Sequence, residues 1–577
     1  MDPVPTSPTV GDSLRRLAEA LDATPLDLDI GSIPQTRTIR SELTSQIHDY
    51  LIPRLRRLNA PLLAVLGGST GSGKSTITNS LVGAEVSPSG VLRPTTRSPV
   101  LVVHPADVSW FASDEILPDL ARTSGFRPQD QSEGESSGQN LRVIEVDRIG
   151  PGLAILDAPD IDSVEEANRS LATQLLGAAD LWLFTTSAVR YADAVPWEFL
   201  RRAQTRGASL AVIINRIPPG ATNEIVAHMS DMLKNEALAD VDIYPVETAE
   251  LINGQIPVEA LGHLPAMLRQ LADDAEKRHA VVAHTLAGAL HSVQERTRLV
   301  LNAGREQQQA VHELMGVVDE VYAAARSDLR TDLATGNLLR GEVLERWQEL
   351  IGTAELMRAV QTRISWMRDR IVRFATGKVG AQQDVKGEIT STIAQLVVDY
   401  ADRAALMTTS TWKNLPGGNQ ILASDRSLER STPQLAPRLE EQVRAWQDDV
   451  MGLVREKGGS KRTVARVLAL GVNSVGLALM IVLFSQTAGL SGGEVAIGAG
   501  TASLSQALLN AIFGDQAVRE LATEARDLLE VRMNTVLEDE AARFADKLNQ
   551  TAAAPQALEN LDAALKSFAT ARSGTGR

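Results

Sequence analysis

The chain has 577 residues, 44% of them hydrophobic and only 4% aromatic, with a formal net charge of -15 and no cysteine. That length exceeds what one hydrophobic core organises. The acidic balance argues against a general nucleic-acid binder, and the lack of cysteine excludes a disulfide framework, a zinc ribbon and a thiol nucleophile.

Residues 1 to about 11 are rich in Pro, Thr and Ser and are expected to be disordered. The start has neither a basic n-region nor an apolar h-region, so no cleaved signal peptide is expected. From Thr38 to Leu58 the apolar residues Ile39, Leu43, Ile47, Leu51, Leu55 and Leu58 line one face of a helix, with a bend expected at Pro53.

Short apolar runs then alternate with helical stretches. The runs are Leu62–Leu66, Val100–Val103, Leu153–Leu156, Leu181–Phe184, Leu210–Ile214 and Ile243–Val246. Such alternation predicts an α/β domain with a mainly parallel sheet. The polar stretch from Asp130 to Asn140 reads as a surface loop inside it.

The first run leads into GSTGSGKS, Gly68 to Ser75, and then into STITNSLVG, a helical start. This is the phosphate-loop pattern in its required strand-to-helix context. Gly68, Ser69, Thr70, Gly71, Ser72 and Gly73 curl the backbone so that its N–H groups face phosphate, and Lys74 reaches the β- and γ-phosphates. The Ser75 hydroxyl binds Mg²⁺, and Thr76 completes the nucleotide-binding turn. Downstream, Ile155-Leu156-Asp157 ends a buried strand with a carboxylate, the place where phosphate-loop enzymes keep the acid that holds Mg²⁺ or its water. Asp160 follows, and beside a γ-phosphate its charge must point away or find a cation. Between the two lies RPTTRSP, where Thr96 or its neighbour Thr95 suits a switch threonine for Mg²⁺ and the γ-phosphate, flanked by Arg93 and Arg97. At the end of a later run, Asn215 and Arg216 can flank a nucleotide base, the amide bonding and the Arg stem stacking. In VRYADAVPWEFL, Tyr191, Asp193 and Trp197 suit either a switch surface or core packing.

From about 256 to 460 long helical patterns replace strands. Val467 to Leu490 has no charged residue, and Val495 to Gly514 is a second uncharged stretch beyond Gly492-Gly493-Glu494. These stretches could cross or insert into a bilayer, or form a buried core hairpin. Arg455, Lys457, Lys461, Arg462 and Arg466 lead in with the charge of a cytoplasmic flank. Beyond Asp515 an amphipathic helix is expected, with Val518, Leu521, Ala525, Leu528, Val536, Phe544 and Leu548 facing a core.

The motifs GGSTGSGKSTITNSLVG, RPTTRSP, DAPD and the strand-ending Asn-Arg together resemble the dynamin superfamily, most closely the bacterial dynamin-like proteins. The resemblance implies an α/β phosphate-loop GTPase-like domain joined to a long all-α neck and trunk bundle with a hydrophobic hairpin tip. It implies five segments: a disordered start and neck helices over 1–59, the GTPase-like domain over 60–255, a helical trunk over 256–462, the hairpin over 463–514 and returning helices over 515–577. Lys74, Thr96 and Asp157 would be catalytic, and Ser75, Thr96 and Asp157 the metal ligands. GTP and Mg²⁺ are the implied cofactors, with hydrolysis driving oligomerisation and membrane remodelling on the cytoplasmic side of the bacterial inner membrane. The implied partners are the lipid bilayer and a second copy or a paralogous dynamin-like chain. Three positions depart from the family: Thr70 stands where eukaryotic dynamins carry Gln, Asp160 where GTPases carry the switch II Gly, and Pro218 where they carry the guanine-reading Asp. These departures leave open ATP as the nucleotide and a low-activity partner subunit as the role.

Overall fold

The structure, a computed structural model, describes residues 9–88, 98–112, 117, 120–124, 140–162, 166–236, 238–335, 379–457, 472–485, 505–506, 509–510, 512–551 and 555–574. The chain divides into two compact units. One comprises residues 1–26, 31–305 and 553–577, the other residues 27–30 and 306–552.

The first unit opens with α1 (Val10–Asp22), capped by the Thr9 hydroxyl, which accepts from the Asp12 N–H at 3.2 Å. The cap puts the start of helix inside the segment expected to be disordered. Leu14, Leu17, Ala18 and Leu21 form its buried stripe. Next come α2 (Ile33–Gln46) and α3 (Ile52–Arg56), separated by a π-helical turn at Ile47–Leu51. Pro53 has no N–H for the carbonyl a turn earlier, and the irregularity falls just ahead of it.

The sheet strands are β1 (Leu62–Gly68), β2 (Val100–Val103), β3 (Ala121–Ser124), β4 (Asn140–Glu145), β5 (Leu153–Asp157), β6 (Leu181–Ser187), β7 (Ser209–Ile217) and β8 (Asp242–Glu247). Their order is β3-β4-β2-β5-β1-β6-β7-β8, and every pairing is parallel except β2 with β5. The central strands read as unbroken apolar runs because both faces are buried. The two strands absent from the sequence reading, β3 and β4, lie toward one edge, and their sequences ARTS and NLRVIE lack such a run. Asn140, read as the end of a loop, is the first residue of β4; the rest of that loop lies outside the described residues.

Helices α4 (Lys74–Val82), α5 (Val108–Phe111), α6 (Glu166–Gly177), α7 (Ala194–Thr205), α8 (Thr222–Asn235) and α9 (Leu264–Asp273) complete the α/β domain. Asp180, just ahead of β6, is fully buried. It accepts from the Tyr50 hydroxyl at 3.0 Å and the Leu63 N–H at 2.9 Å, and pairs with Arg54 at 3.0 Å, tying the N-terminal helices to the sheet.

α10 (Ala275–Thr335) is one helix of 61 residues. The second unit then carries α11 (Val379–Trp412), α12 (Gly418–Ser424), α13 (Leu435–Glu456), α14 (Val472–Ser485) and α15 (Asp515–Thr551), while α16 (Pro555–Gly574) packs with α1 in the first unit. On α15 the expected face is buried at Val518, Leu521, Ala525, Val536, Phe544 and Leu548, with Leu528 partly so.

Among the described residues the hydrophobic hairpin is not seen as a projecting tip. Within it, α14 buries Val475, Leu477, Leu479, Met480, Val482 and Leu483 in a core shared with α13 and α15, and Leu509 and Ile512 join the same core. Among the described residues no helix is long and apolar enough to cross a membrane. Residues 486–504 lie outside the described residues.

Candidate nucleotide site

The sheet order sets the site. β1 lies between β5 and β6, with β7 beyond, so the carboxyl ends of these parallel strands share one edge, where α/β sheets bind ligands. The register pairs Leu66 with Asp157, Gly68 with Thr185, and Ser187 with Asn215. The sequence motifs, up to 147 residues apart, are therefore brought together by parallel pairing alone, from Gly68 to Asn215.

The loop from Gly68 to Gly73 requires its glycines for packing as well as for curvature. A Cβ on Gly68 would sit 1.9 Å from the Thr185 carbonyl oxygen. Gly73 has φ +93, and a Cβ there would meet the Asn215 Nδ2 at 2.3 Å. That amide donates to the Ser72 carbonyl at 2.9 Å, so Asn215 braces the loop. A register shift between Ile214 and Ile217 aims it: Arg216 takes a left-handed φ of 58 and gives its N–H to the Asn215 Oδ1 at 2.8 Å. A bulge at the end of a strand redirects a side chain in this way. The strand thus runs on to Ile217, past the end of the predicted run at Ile214.

α4 opens at Lys74, and Ser75 and Thr76 lie in its first turn. The Lys74 Nζ donates to the carbonyls of Gly68 at 2.9 Å and Ser69 at 3.2 Å and pairs with the Asp160 carboxylate at 2.5 Å. Asp160 has found its cation. Ser75 donates its hydroxyl to Asp157 Oδ2 at 2.7 Å, and Ser87 does the same at 2.6 Å. Asn79 holds Ser87 there by accepting from the Val86 and Ser87 amides and donating to the Ser87 carbonyl.

Asp157 is fully buried, and its Oδ1 has no hydrogen-bond partner. Burial pushes its carboxyl above the ordinary value, against the pull of the two serine hydroxyls and Lys74. The buried hydroxyls of Ser69 and Ser72 likewise lack partners. Orphaned polar atoms at a backbone cradle fit a phosphate ligand with its metal ion, because protein interiors otherwise satisfy such groups. Among the described residues no group of three or more His, Cys, Asp or Glu could hold a metal alone.

Thr70 is committed elsewhere. Its N–H and hydroxyl both donate to Asp162 Oδ1, at 2.6 and 2.7 Å, while Arg190 donates to the Thr70 carbonyl at 3.0 Å and to Asp162 Oδ2 at 3.1 Å. Burial pushes Asp162 up, but Thr70 and Arg190 outweigh it and hold its carboxyl below the ordinary value. Asp193 pairs with Arg190, and Trp197 is buried with its indole N–H on the Tyr191 carbonyl at 3.0 Å, which resolves Trp197 as core. Thr96 lies outside the described residues, as do Arg93, Thr95 and Arg97. Sequence reasoning missed Ser87, Asn79, Asp162 and Arg190. Asp162 alone carried a signal, as a second acid in APDID two positions after Asp160.

Residues 63–217 match the model of the Dynamin family. A curated relative, an uncharacterised protein in the xynA 3'region of Caldicellulosiruptor sp. (strain Rt8B.4), is 24% identical over 243 residues. The match covers 38% of this chain and 58% of the relative, so the chain spans little more than half that relative's length. Among solved structures, one of an oligomerised bacterial dynamin pair, described as sensing and tethering membranes, aligns over 97% of this chain and 94% of its own at 10% identity and a TM-score of 0.42. Era in complex with MgGDPNP and 16S ribosomal RNA aligns over 37% of this chain and 56% of its own at 19% identity and a TM-score of 0.24. The likeness to the Dynamin family is thus carried by the phosphate-loop segment, residues 63–217.

Proposed function

We propose that the chain is a membrane-associated dynamin-like GTPase in which Mg²⁺-dependent GTP binding and hydrolysis drive oligomerisation and membrane remodelling on the cytoplasmic face of the bacterial inner membrane. The observation that carries the reading is the orphaned, fully buried Asp157 beside Ser75 at the mouth of the phosphate loop, within the segment matched to the Dynamin family. Ser75 and Asp157, with Thr96 from the switch segment, would hold magnesium, which when bound neutralises charge developing on the phosphate oxygens. The loop backbone and Lys74 bind and orient the phosphates, and Asn215 with Arg216 borders the base. GTP is the proposed nucleotide; ATP, left open by Pro218, has no support among the relatives above. The uncharged stretch beyond α14 supports the membrane reading, and the partners would be a lipid bilayer and a second copy or paralogue. A low-activity partner subunit is the second reading, favoured by Thr70 being tied to Asp162.

The test is turnover of GTP and ATP by the full chain, with and without anionic liposomes. GTP should be hydrolysed faster with liposomes, and Lys74→Ala should weaken triphosphate binding about 100-fold, roughly 2.7 kcal/mol. The chain should float with the vesicles, and Ile497→Asp should abolish flotation. Preference for ATP would sink the guanine assignment, and tight GTP binding without turnover would favour the partner subunit. Unchanged flotation of Ile497→Asp would remove that stretch from the membrane reading.

A further inference from the structure

Lys74 is the residue that a triphosphate must reach, and its ammonium is already engaged. A lysine has three N–H donors. Here they face the Gly68 carbonyl, the Ser69 carbonyl and the Asp160 carboxylate, the last an ion pair of 2.5 Å with Lys74 only 5% exposed. The two carbonyls belong to the loop itself, so a phosphate oxygen can join Lys74 only by displacing Asp160. The backbone on either side of Asp160 is held. The Ala158 N–H donates to the Leu66 carbonyl at 3.1 Å, and the Ile161 N–H to the Gly68 carbonyl at 3.3 Å. Two residues on, Asp162 grips the Thr70 amide and hydroxyl, with Arg190 closing the outside. The segment from Ala158 to Asp162 is therefore fastened along the phosphate loop at its backbone and at two carboxylates.

We propose that Asp160 is an internal competitor for the phosphate site: its carboxylate takes on Lys74 the position of a β- or γ-phosphate oxygen, so that triphosphate binding requires Asp160 to swing off and loosens the segment from 158 to 162. This rests on the nucleotide reading above and adds its regulation. The physical cause is charge. A carboxylate and a phosphate cannot share one buried ammonium without facing each other, and like charges at that range repel strongly. The protein that binds is then only the fraction with Asp160 displaced, and the apparent affinity falls by that fraction. The arrangement places a device for weak binding and rapid release at a position where GTPases carry a glycine, which has no side chain to compete. It also links the arrival of phosphate to the Thr70–Asp162–Arg190 contacts on the outer side of the loop.

The experiment is equilibrium titration of the full chain and of Asp160→Asn and Asp160→Gly with MgGTP, magnesium pyrophosphate and guanosine. Asp160→Asn keeps the shape and removes the charge; Asp160→Gly removes the side chain. Both should bind MgGTP and magnesium pyrophosphate at least tenfold more tightly than the wild type, with slower release of MgGTP and no change toward guanosine. Circular dichroism and thermal melting confirm that the variants are folded, and tighter binding by either folded variant supports the competitor. Affinity within twofold of the wild type in both, or weaker binding, overturns it. An equal gain toward guanosine also overturns it, because the competition is for phosphate. Wild-type protein that binds neither MgGTP nor magnesium pyrophosphate at millimolar concentration overturns the nucleotide reading itself, whereas measurable wild-type binding with no gain in the variants overturns the competitor alone.

Discussion

The two compact units bury different things. In the helical unit the core of α13, α14 and α15 is apolar, with Trp446, Met451, Leu479, Leu521 and Leu529 among its buried members, and the Trp446 indole N–H is satisfied by the Ala525 carbonyl at 2.8 Å. Its buried carboxylate Glu540 is tied down by Thr432 and Arg543. In the phosphate-loop unit, Asp157 and Lys74 are buried at the carboxyl ends of the strands, and Asp157 keeps an oxygen without a partner, while Asp180 is buried at the opposite end in a pair with Arg54. The first interior is mainly apolar, and its buried carboxylate is paired. The second accepts the cost of buried charge where a ligand would use it. The difference is measurable, because apolar burial does not depend on pH whereas buried carboxylates do.

The largest expected effect is therefore one without pH dependence. Trp446→Ala empties a fully buried site and leaves the Ala525 carbonyl without its indole donor. A loss of about 3–5 kcal/mol is expected, the same at pH 5 and pH 8 by denaturant titration. A loss that changed by more than about 1 kcal/mol between those pH values would place titrating groups in the helical core and break the comparison.

Legibility in the sequence follows the same division. Five of the six runs, in β1, β2, β5, β6 and β7, lie inside the sheet and were readable because burial leaves nearly uninterrupted apolar stretches; the sixth, in the edge strand β8, was readable from its short apolar core, and the phosphate loop because its spacing is dictated by phosphate geometry. β3 and β4 were not, since strands toward the edge carry Arg122, Arg142 and Glu145 in place of such a run. Lys74, Ser75, Asp157 and Asn215 lie at one edge as the motifs implied. Their restraints did not announce themselves: Arg190 comes from the end of a different strand and reaches Thr70 only through folding. Periodicity gave the helices of the second unit and the buried face of α15. Hydropathy cannot separate a membrane segment from a buried one, and α14, uncharged throughout, is packed against α13 and α15.

The smaller effects concern two carboxylates five residues apart whose pH signatures should be opposite. Asp162 has its folded pKa held below the unfolded value of 3.8. Its contribution is present above that unfolded value and lost as pH falls through the folded one. Asp162→Ala leaves the Thr70 amide and hydroxyl without their acceptor, a loss of about 2 kcal/mol. The gap to wild type should be constant from pH 8 to 5 and narrow below pH 4. A gap that widened in acid would show that Asp162 is not ionised in the folded protein.

Asp157 has its folded pKa raised above 3.8 by burial. Its contribution is full below the unfolded pKa and declines as pH rises through the folded one, so at neutral pH the ionised carboxylate costs stability. Asp157→Asn removes the charge, while its carbonyl oxygen still accepts from Ser75 and Ser87. The atom at the Oδ1 position lacks a partner in either residue. Thermal melting at pH 7 should therefore show a gain of about 0.5–1 kcal/mol, the size common when a functional cost is removed, together with loss of magnesium-dependent nucleotide binding. The gain should vanish below pH 4, where the wild-type carboxyl is itself neutral. A variant less stable than wild type at pH 7 would mean that the buried charge is stabilised by the serines and Lys74 beyond the cost of its burial, and Asp157 would then be a structural anchor of the loop.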